Sequence, residues 1–246
     1  MSRLTKKQKR QMRQDGIIDQ EGNFRQSVFH VRKDITPLTP GQTAAWEAWE
    51  DGYNLMLHGS AGTGKSFMGL YFALSDVVNR ASPRNKVYII RSTVPSRDQG
   101  FQPGTKSEKE AVYETPYPPI CNQIFGRGDG YQILKQKGMI AFTSTSFLRS
   151  ETIDNAYIVV DECQNMNYGE LSTVITRAGE NTKYVFCGDT KQNDLTQKKN
   201  DQSGLPQFMQ VLEQMECFDM IRFYSEDIVR SGLVKEFIMA EEKLGL

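Results

Sequence analysis

Short apolar runs alternate along this chain with longer segments in which apolar residues recur every three or four positions. The runs are typical of buried strands, and the longer segments of helices. Strands are predicted at residues 53–59, 86–92, 139–145, 156–162, 183–189 and 218–225. Helices are predicted at 65–80, 168–179, 205–215 and 226–244, the last capped by Ser225. This alternation predicts an α/β fold whose mostly parallel sheet is covered by helices on both faces.

Two parts of the chain depart from this rhythm. Residues 1–36 are polar, and we expect an arm there, with six Lys or Arg between residues 3 and 13. The arm either binds RNA or is a solvated terminus. The domain is predicted over 37–246, beginning with a helix that Thr39 caps. Residues of about 93–138 hold five of the nine prolines, so we expect a functional loop or subdomain there rather than core.

Composition narrows the classes of protein. The formal net charge is zero over 246 residues, so contact with a nucleic acid must come from local patches. No apolar run approaches the ~20 residues of a membrane helix, and the basic N-terminus has no apolar core typical of a secretory signal. We therefore expect a cytoplasmic protein without membrane contact. Four widely spaced cysteines follow no metal-binding pattern and are expected to be free thiols.

The strongest chemical motif is GSAGTGKS at residues 59–66, which fits GxxxxGK[ST] between a strand and a helix. In such a phosphate-binding loop (P-loop), backbone N–H groups surround phosphate, the lysine reaches the β- and γ-phosphates, and the serine supplies an oxygen for Mg²⁺. The alternative is a glycine-rich turn without a ligand. The predicted nucleotide-binding residues are Gly59, Ser60, Ala61, Gly62, Thr63, Gly64, Lys65 and Ser66, with Ser66 also a metal ligand.

Two adjacent acids end the apolar strand YIVVDE at residues 157–162. In P-loop proteins a second strand ends in an Asp near Mg²⁺, and Asp161 fits that role as a metal ligand. Glu162 is then placed to polarise the water that attacks the γ-phosphate. The alternative is an exposed acidic strand end. A third strand end, FCGDTKQND, adds Gln192 as a γ-phosphate sensor, or is an ordinary turn.

The motifs GSAGTGKS, VVDECQN and CGDTKQND, in this order, resemble the PhoH-like family over residues 37–240. The ATPase core of that family is similar to the first motor domain of superfamily 1 helicases. FQPG at 101–104 and SEDIVRSGLV near the C-terminus extend the resemblance. It implies a RecA-like core, binding and hydrolysis of ATP with Mg²⁺, action on single-stranded RNA, and a homo-oligomer of which a hexameric ring is one form.

The resemblance also implies roles for residues outside the three motifs. Gln42 would read the adenine edge, although it is equally suited to close a capping box with Thr39. Arg230 would be an arginine finger, acting across subunits or on its own nucleotide from the last helix, unless it is a solvated helix residue. Nucleic-acid contacts would come from Arg91, Ser92, Thr93 and Arg149, and base stacking from Phe101, Tyr113 and Tyr117, unless these are polar loop and packing residues.

The sequence therefore favours a Mg²⁺-dependent ATPase with helicase-like coupling to RNA, in which Glu162, Gln192 and Arg230 are catalytic. Two positions depart from the family pattern, where Glu151 and Ser231 replace an Arg and a His. They motivate an alternative, a nucleotide-gated interaction module with negligible hydrolysis. A P-loop kinase is disfavoured, because a Glu next to the metal-binding Asp promotes transfer of phosphate to water.

Overall fold

The computed structural model describes residues 30–79, 83–92, 111–145, 152–189 and 203–244. Six strands form one sheet in these ranges. Each ends within two residues of its predicted bounds, because the strands are the apolar runs themselves. They are β1 (Asn54–Gly59), β2 (Lys86–Arg91), β3 (Ile140–Ser144), β4 (Ala156–Asp161), β5 (Lys183–Gly188) and β6 (Phe218–Phe223).

The strands lie in the order β3-β2-β4-β5-β1-β6, and every neighbouring pair is parallel. All carboxyl ends therefore meet at one edge, and β5 separates the P-loop strand β1 from the acidic strand β4. Every residue of β4 and β5 is buried, as expected for central strands of a sheet that is covered on both faces. The predicted α/β fold with a RecA-like core is confirmed.

Helices cover both faces of this sheet. The helices whose bounds both lie in the described ranges are α1 (Pro40–Glu50), α2 (Lys65–Asn79), α3 (Tyr117–Phe125), α4 (Gly130–Gln136), α5 (Tyr168–Ile175), α6 (Leu205–Leu212) and α7 (Gly232–Leu244). Buried side chains of α1 to α4 form one hydrophobic cluster with the sheet, and those of α5 and α6 form another. Successive strand residues alternate between the two clusters, so Leu55 and Leu57 face the first and Met56 the second.

Part of the Pro-rich insertion belongs to the core, contrary to the expectation from sequence. Tyr117, Cys121 and Ile124 follow one another at helical spacing on α3, and all are fully buried. They join the cluster that also contains α2, against which α3 lies. The chain before α1 is also in contact with this helix, since the Arg32 N–H donates to the Ile124 carbonyl at 2.9 Å.

The C-terminal segment differs from the single helix predicted over 226–244. A short 3₁₀ turn covers Ser225–Asp227, Ile228 is extended, and α7 begins only at Gly232. The cause is Asp227, whose carboxylate accepts the N–H groups of Tyr224 and Gly41, each at 2.9 Å. These bonds hold the turn against the first residues of α1 and interrupt the helix.

Two other expectations from the sequence concern membrane-spanning helices and the cysteine thiols. No helix within the described ranges combines the length and apolar character needed to cross a bilayer. The four cysteines are free thiols, of which Cys121, Cys163 and Cys187 are buried and Cys217 is exposed. Their packing between apolar neighbours agrees with a structural role for the three buried ones.

Asp227 gives a prediction about stability and pH. Burial alone would raise the pKa of Asp227, but the N–H groups of Tyr224 and Gly41 outweigh burial and lower that pKa below its ordinary value. Its stabilisation is therefore present above about pH 4 and lost as the pH falls through the lowered pKa. We expect Asp227→Asn to reduce the free energy of unfolding by about 1–3 kcal/mol at pH 7, measured by urea denaturation.

The difference between Asp227→Asn and the wild type should shrink as the pH is lowered below about 4. Asp51→Asn, at an exposed carboxylate that ends α1, is the matched control and should change little. A difference of equal size at every pH would contradict the assigned role of the Asp227 charge.

Candidate nucleotide-binding site

The P-loop (residues 59–66) connects β1 to α2 in a conformation that requires glycine. Gly59, Gly62 and Gly64 all have positive φ values. At Gly59, where φ is +112°, an added Cβ would lie 2.1 Å from the Phe223 carbonyl oxygen on β6. No other residue could be accommodated there. The loop therefore passes directly over the end of the sheet and opens onto the N-terminus of α2, which is favourable for anions.

Lys65 is held inside the loop. Its Nζ donates to the carbonyl oxygens of Gly59 at 2.9 Å and Ser60 at 2.6 Å. Burial lowers the pKa of Lys65, and nearby carboxylates, Asp189 foremost, oppose that shift. The ammonium is thus an incompletely solvated cation beside the phosphate-binding loop, and an anionic ligand would improve its environment.

Asp161 joins the P-loop to the end of β4. Its Oδ1 accepts a hydrogen bond from the Ser66 hydroxyl at 2.6 Å, and its Oδ2 accepts one from the Tyr117 hydroxyl at 3.0 Å. Asp161 is only 4 % exposed. The two residues predicted as metal ligands therefore lie side by side, one from each motif.

Glu162 follows Asp161 in a left-handed conformation with φ of +52°, uncommon for a residue with a side chain. This turn ends β4 and begins a 3₁₀ helix at Cys163–Asn165. Burial, and then the charge of Asp161, raise the pKa of Glu162, while Arg91 and Gln164 oppose the shift. The carboxylate is thus a stronger base than an exposed glutamate would be.

Gln164 links the ends of β4 and β5. Its Nε2 donates to the Glu162 carboxylate at 2.6 Å, and its Oε1 accepts the Asp189 N–H at 3.0 Å. The amide therefore connects the acidic pair to the segment in which the phosphate sensor was predicted. Gln192 itself lies outside the described residues, as do Thr93, Phe101 and Arg149.

Arg230 lies beside its own P-loop. The Val229 N–H donates to the Gly62 carbonyl at 3.1 Å, and a Cβ at Gly62 would be 2.8 Å from the Cγ of Arg230. The expectation that Arg230 belongs to the last helix is wrong, because α7 starts at Gly232. Arg230 instead lies in the short segment between the 3₁₀ turn and α7, with an exposed side chain.

Gln42 also contacts the P-loop, by a route that the sequence does not reveal. Its Nε2 donates to the Thr63 carbonyl at 3.0 Å, and its Oε1 accepts the Leu38 N–H at 2.9 Å. The Thr39 hydroxyl accepts the Gln42 N–H at 3.3 Å, which is one half of the predicted capping box. The other half of a capping box would be a bond from the Thr39 N–H to the Gln42 side chain. The Gln42 Oε1 accepts the Leu38 N–H instead.

The P-loop, the acidic end of β4, Gln42 and Arg230 line one cavity of about 800 Å³. This volume is within the size range of small-molecule sites. The cavity brings together most of the predicted site residues: Gln42, Ala61, Gly62, Thr63, Gly64, Lys65, Ser66, Asp161, Glu162 and Arg230. Gly59 and Ser60 contribute through the carbonyl oxygens that hold Lys65. Arg91 lines the cavity as well, next to the acids.

The oxygens of Ser66 and Asp161 fit a magnesium ion. Mg²⁺ prefers hard oxygen ligands and binds through one or two carboxylates together with phosphates and water. Among the described residues no group of three His, Cys, Asp or Glu gathers as a metal site. A hydroxyl and a carboxylate at the phosphate-binding loop suit an ion that arrives with its nucleotide.

The bond of Tyr117 to Asp161 is a feature of the site that the sequence does not predict. The sequence suggested base stacking or packing for this tyrosine, and its ring does pack at 5.8 Å from that of Phe142. Its hydroxyl, however, reaches the carboxylate of Asp161. A tyrosine between prolines gives no sequence pattern that indicates such a bond, because the contact depends on how α3 lies against the sheet.

Comparison with known proteins identifies relatives along most of the chain. The profile of the PhoH-like protein family matches residues 34–242. The chain is 31 % identical over 186 residues to the PhoH-like protein of Bacillus subtilis, which covers 75 % of this chain and 57 % of that protein. It is 29 % identical over 184 residues to Protein PhoH of Escherichia coli K12, with 74 % and 51 % covered. The chain therefore spans between half and three-fifths of the length of these relatives.

Solved structures with a similar arrangement include the large terminase of a thermophilic bacteriophage in complex with ADP. That similarity has a TM-score of 0.47 at 13 % identity, covering 82 % of this chain and 49 % of the terminase. The Pif1 helicase of Candida albicans matches with a TM-score of 0.39 at 14 % identity, covering 78 % and 41 %.

The family profile spans every described strand and all the predicted site residues that line the cavity, from the segment before α1 into α7. The geometry supplies a P-loop, an adjacent acidic strand end and a cavity between them. This chain is a P-loop NTPase that belongs to the PhoH-like protein family.

Proposed function

We propose that this chain binds ATP with Mg²⁺ and hydrolyses it, and that single-stranded RNA controls the rate in a helicase-like manner. The observation that supports this most directly is the 2.6 Å hydrogen bond from Ser66 to Asp161. It joins the phosphate-binding loop to the acidic strand end, so that a metal–nucleotide complex and a base for water meet at one place.

The proposed division of roles follows from position and charge. The P-loop N–H groups and Lys65 bind the phosphates, and Mg²⁺ bound by Ser66 and Asp161 would neutralise phosphate charge. Glu162 is the base that orients and deprotonates water, a task favoured by its raised pKa. Arg230 stabilises charge that develops on the γ-phosphate, and its contact with Gly62 favours action on the nucleotide of its own chain. Gln192 completes the proposed set as γ-phosphate sensor.

Adenine recognition by Gln42 is compatible with its contacts in the protein. A glutamine amide has two N–H donors and two acceptor positions. The bonds to Thr63 and Leu38 use one of each, which leaves one donor and one acceptor for the adenine edge. Those same bonds fix the amide beside the P-loop, so the base would be read at a constant distance from the phosphates.

RNA coupling is supported by the carboxyl end of β2. Arg91 lines the nucleotide cavity. The neighbouring Ser92 is 5 % exposed, and its hydroxyl has no hydrogen-bond partner among the described residues. An arginine and a hydroxyl are common contacts of nucleic-acid phosphates. Family membership supports the further proposals of a cytoplasmic homo-oligomer, with a hexameric ring as one form.

A second function is favoured by one contact. The Glu162 carboxylate is bound by Gln164, which restrains it from turning toward a water in the cavity. A chain that kept this bond with ATP present would be a nucleotide-gated interaction module that hydrolyses ATP negligibly. Steady-state phosphate release separates the two functions.

Replacement of Glu162 by Gln should separate binding from turnover. The amide keeps the size of the side chain but cannot accept the proton of water, so we expect hydrolysis to fall about 10²- to 10⁴-fold. ATP affinity should stay within about threefold of the wild type, a change of less than about 1.4 kcal/mol in binding free energy, because the P-loop and Lys65 are unchanged. Single-turnover hydrolysis and equilibrium binding of a fluorescent ATP analogue measure the two quantities.

Lys65→Ala is the contrasting variant and should lose ATP binding itself, because it removes the cation of the P-loop. Glu213→Gln, at the exposed C-terminal end of α6, is the matched control and should leave both quantities unchanged. Hydrolysis by Glu162→Gln at the wild-type rate would show that Glu162 is not the base.

RNA control and subunit contacts can be tested by one series of rates. We expect single-stranded RNA to raise phosphate release, and single-stranded DNA of the same sequence to raise it less.

Because Arg230 contacts its own P-loop, the rate per subunit should be independent of protein concentration. A rate per subunit that rises steeply with concentration would instead indicate an arginine supplied by a neighbouring subunit, and equal rates with and without RNA would contradict the coupling.

A further inference from the structure

The Asp161 carboxylate has a second partner besides the P-loop serine. Ser66 donates to Oδ1, and the phenol of Tyr117 donates to Oδ2 at 3.0 Å. The torsion that rotates a carboxylate about its own axis is soft and has broad minima. With one donor on each oxygen, this rotation is fixed, and Oδ1 stays directed at Ser66.

Tyr117 is itself rigidly held. It is the first residue of α3 and is fully buried. Pro116 and Pro118 flank it and restrict the backbone on both sides. The ring packs on Phe142 of β3, and the rest of the helix is anchored in the hydrophobic cluster through Cys121 and Ile124. The position of the hydroxyl is therefore determined by the packing of the insertion helix.

Arg91 extends this contact to the neighbouring strand. It ends β2 directly opposite Asp161 in the parallel register. Its guanidinium lies near the Tyr117 oxygen and near the charges of Asp161 and Glu162. The phenol thus donates to a carboxylate beside a cation, an arrangement that polarises the hydroxyl and strengthens its bond to Asp161.

We propose that Tyr117 is a positioning residue of the metal site, and that through it the insertion helix α3 sets the affinity of the nucleotide site for Mg²⁺. This inference rests on the proposed Mg²⁺–nucleotide site. Groups that orient a metal ligand are worth about 10- to 100-fold in metal affinity. A displacement of α3 would move the hydroxyl, free Asp161 to rotate, and weaken the site for the ion while the P-loop itself stayed intact.

The test is Tyr117→Phe, which removes one oxygen and keeps the buried ring. Mn²⁺ serves as the probe, and its affinity for the protein saturated with ADP is measured by electron paramagnetic resonance. Binding of a fluorescent ADP analogue in EDTA reports separately on the P-loop without metal. Tyr131→Phe is the matched control, because Tyr131 is also a buried tyrosine of the insertion bonded to a carboxylate, but that carboxylate (Glu114) does not line the cavity as Asp161 does.

We expect Tyr117→Phe to weaken Mn²⁺ binding about 10- to 100-fold, while nucleotide affinity in EDTA matches the wild type and Tyr131→Phe matches it in both assays. Mn²⁺ affinity within twofold of the wild type would overturn the proposal. So would a loss of nucleotide binding in EDTA, which would show a structural role only. If the wild type binds neither Mn²⁺ nor nucleotide, the proposed function itself fails, whereas wild-type binding without hydrolysis leaves this test intact.

Discussion

A buried carboxylate whose two oxygens both need hydrogen-bond partners is the constraint on which this site depends. Asp161 lies at the end of a strand with no exposed residue, and an isolated charge there would be costly. Hydrogen bonds from Ser66 and Tyr117 and the nearby cation of Arg91 compensate that cost. Each partner comes from a different part of the fold, so satisfying one carboxylate fixes the relative positions of the P-loop, strand β2 and the insertion helix.

The order of strands makes this convergence possible. Since β5 lies between β1 and β4, the ends of these two strands are two interstrand spacings apart, which leaves room for a ligand between them. Gln164 joins the neighbouring ends of β4 and β5, because its amide bonds both the Glu162 carboxylate and the backbone N–H of Asp189. Two polar side chains therefore connect elements at the carboxyl edge: Asp161 bonds Ser66 of the P-loop, and Gln164 bonds the end of β5.

The parts that could be predicted from sequence are those with local causes. The strands are apolar runs, and the P-loop is a fixed pattern of glycines with a lysine, so both can be recognised without knowledge of the fold. Tyr117 could not be assigned, because its bond to Asp161 joins residues 44 positions apart. The break before α7 and the contact of Gln42 with Thr63 have the same origin, since Asp227 and Gln42 each bind backbone groups far away in sequence.

The central claim is that Ser66 and Asp161 together form a metal-dependent site at which ATP is hydrolysed. Phosphate release by the wild type and by Asp161→Asn, measured as Mg²⁺ is raised from zero in the presence of ATP, tests it most directly. The account predicts release by the wild type that begins and saturates with Mg²⁺, and an Asp161→Asn curve that stays near zero through the same range. Release that is independent of Mg²⁺, or unchanged by Asp161→Asn, would contradict it.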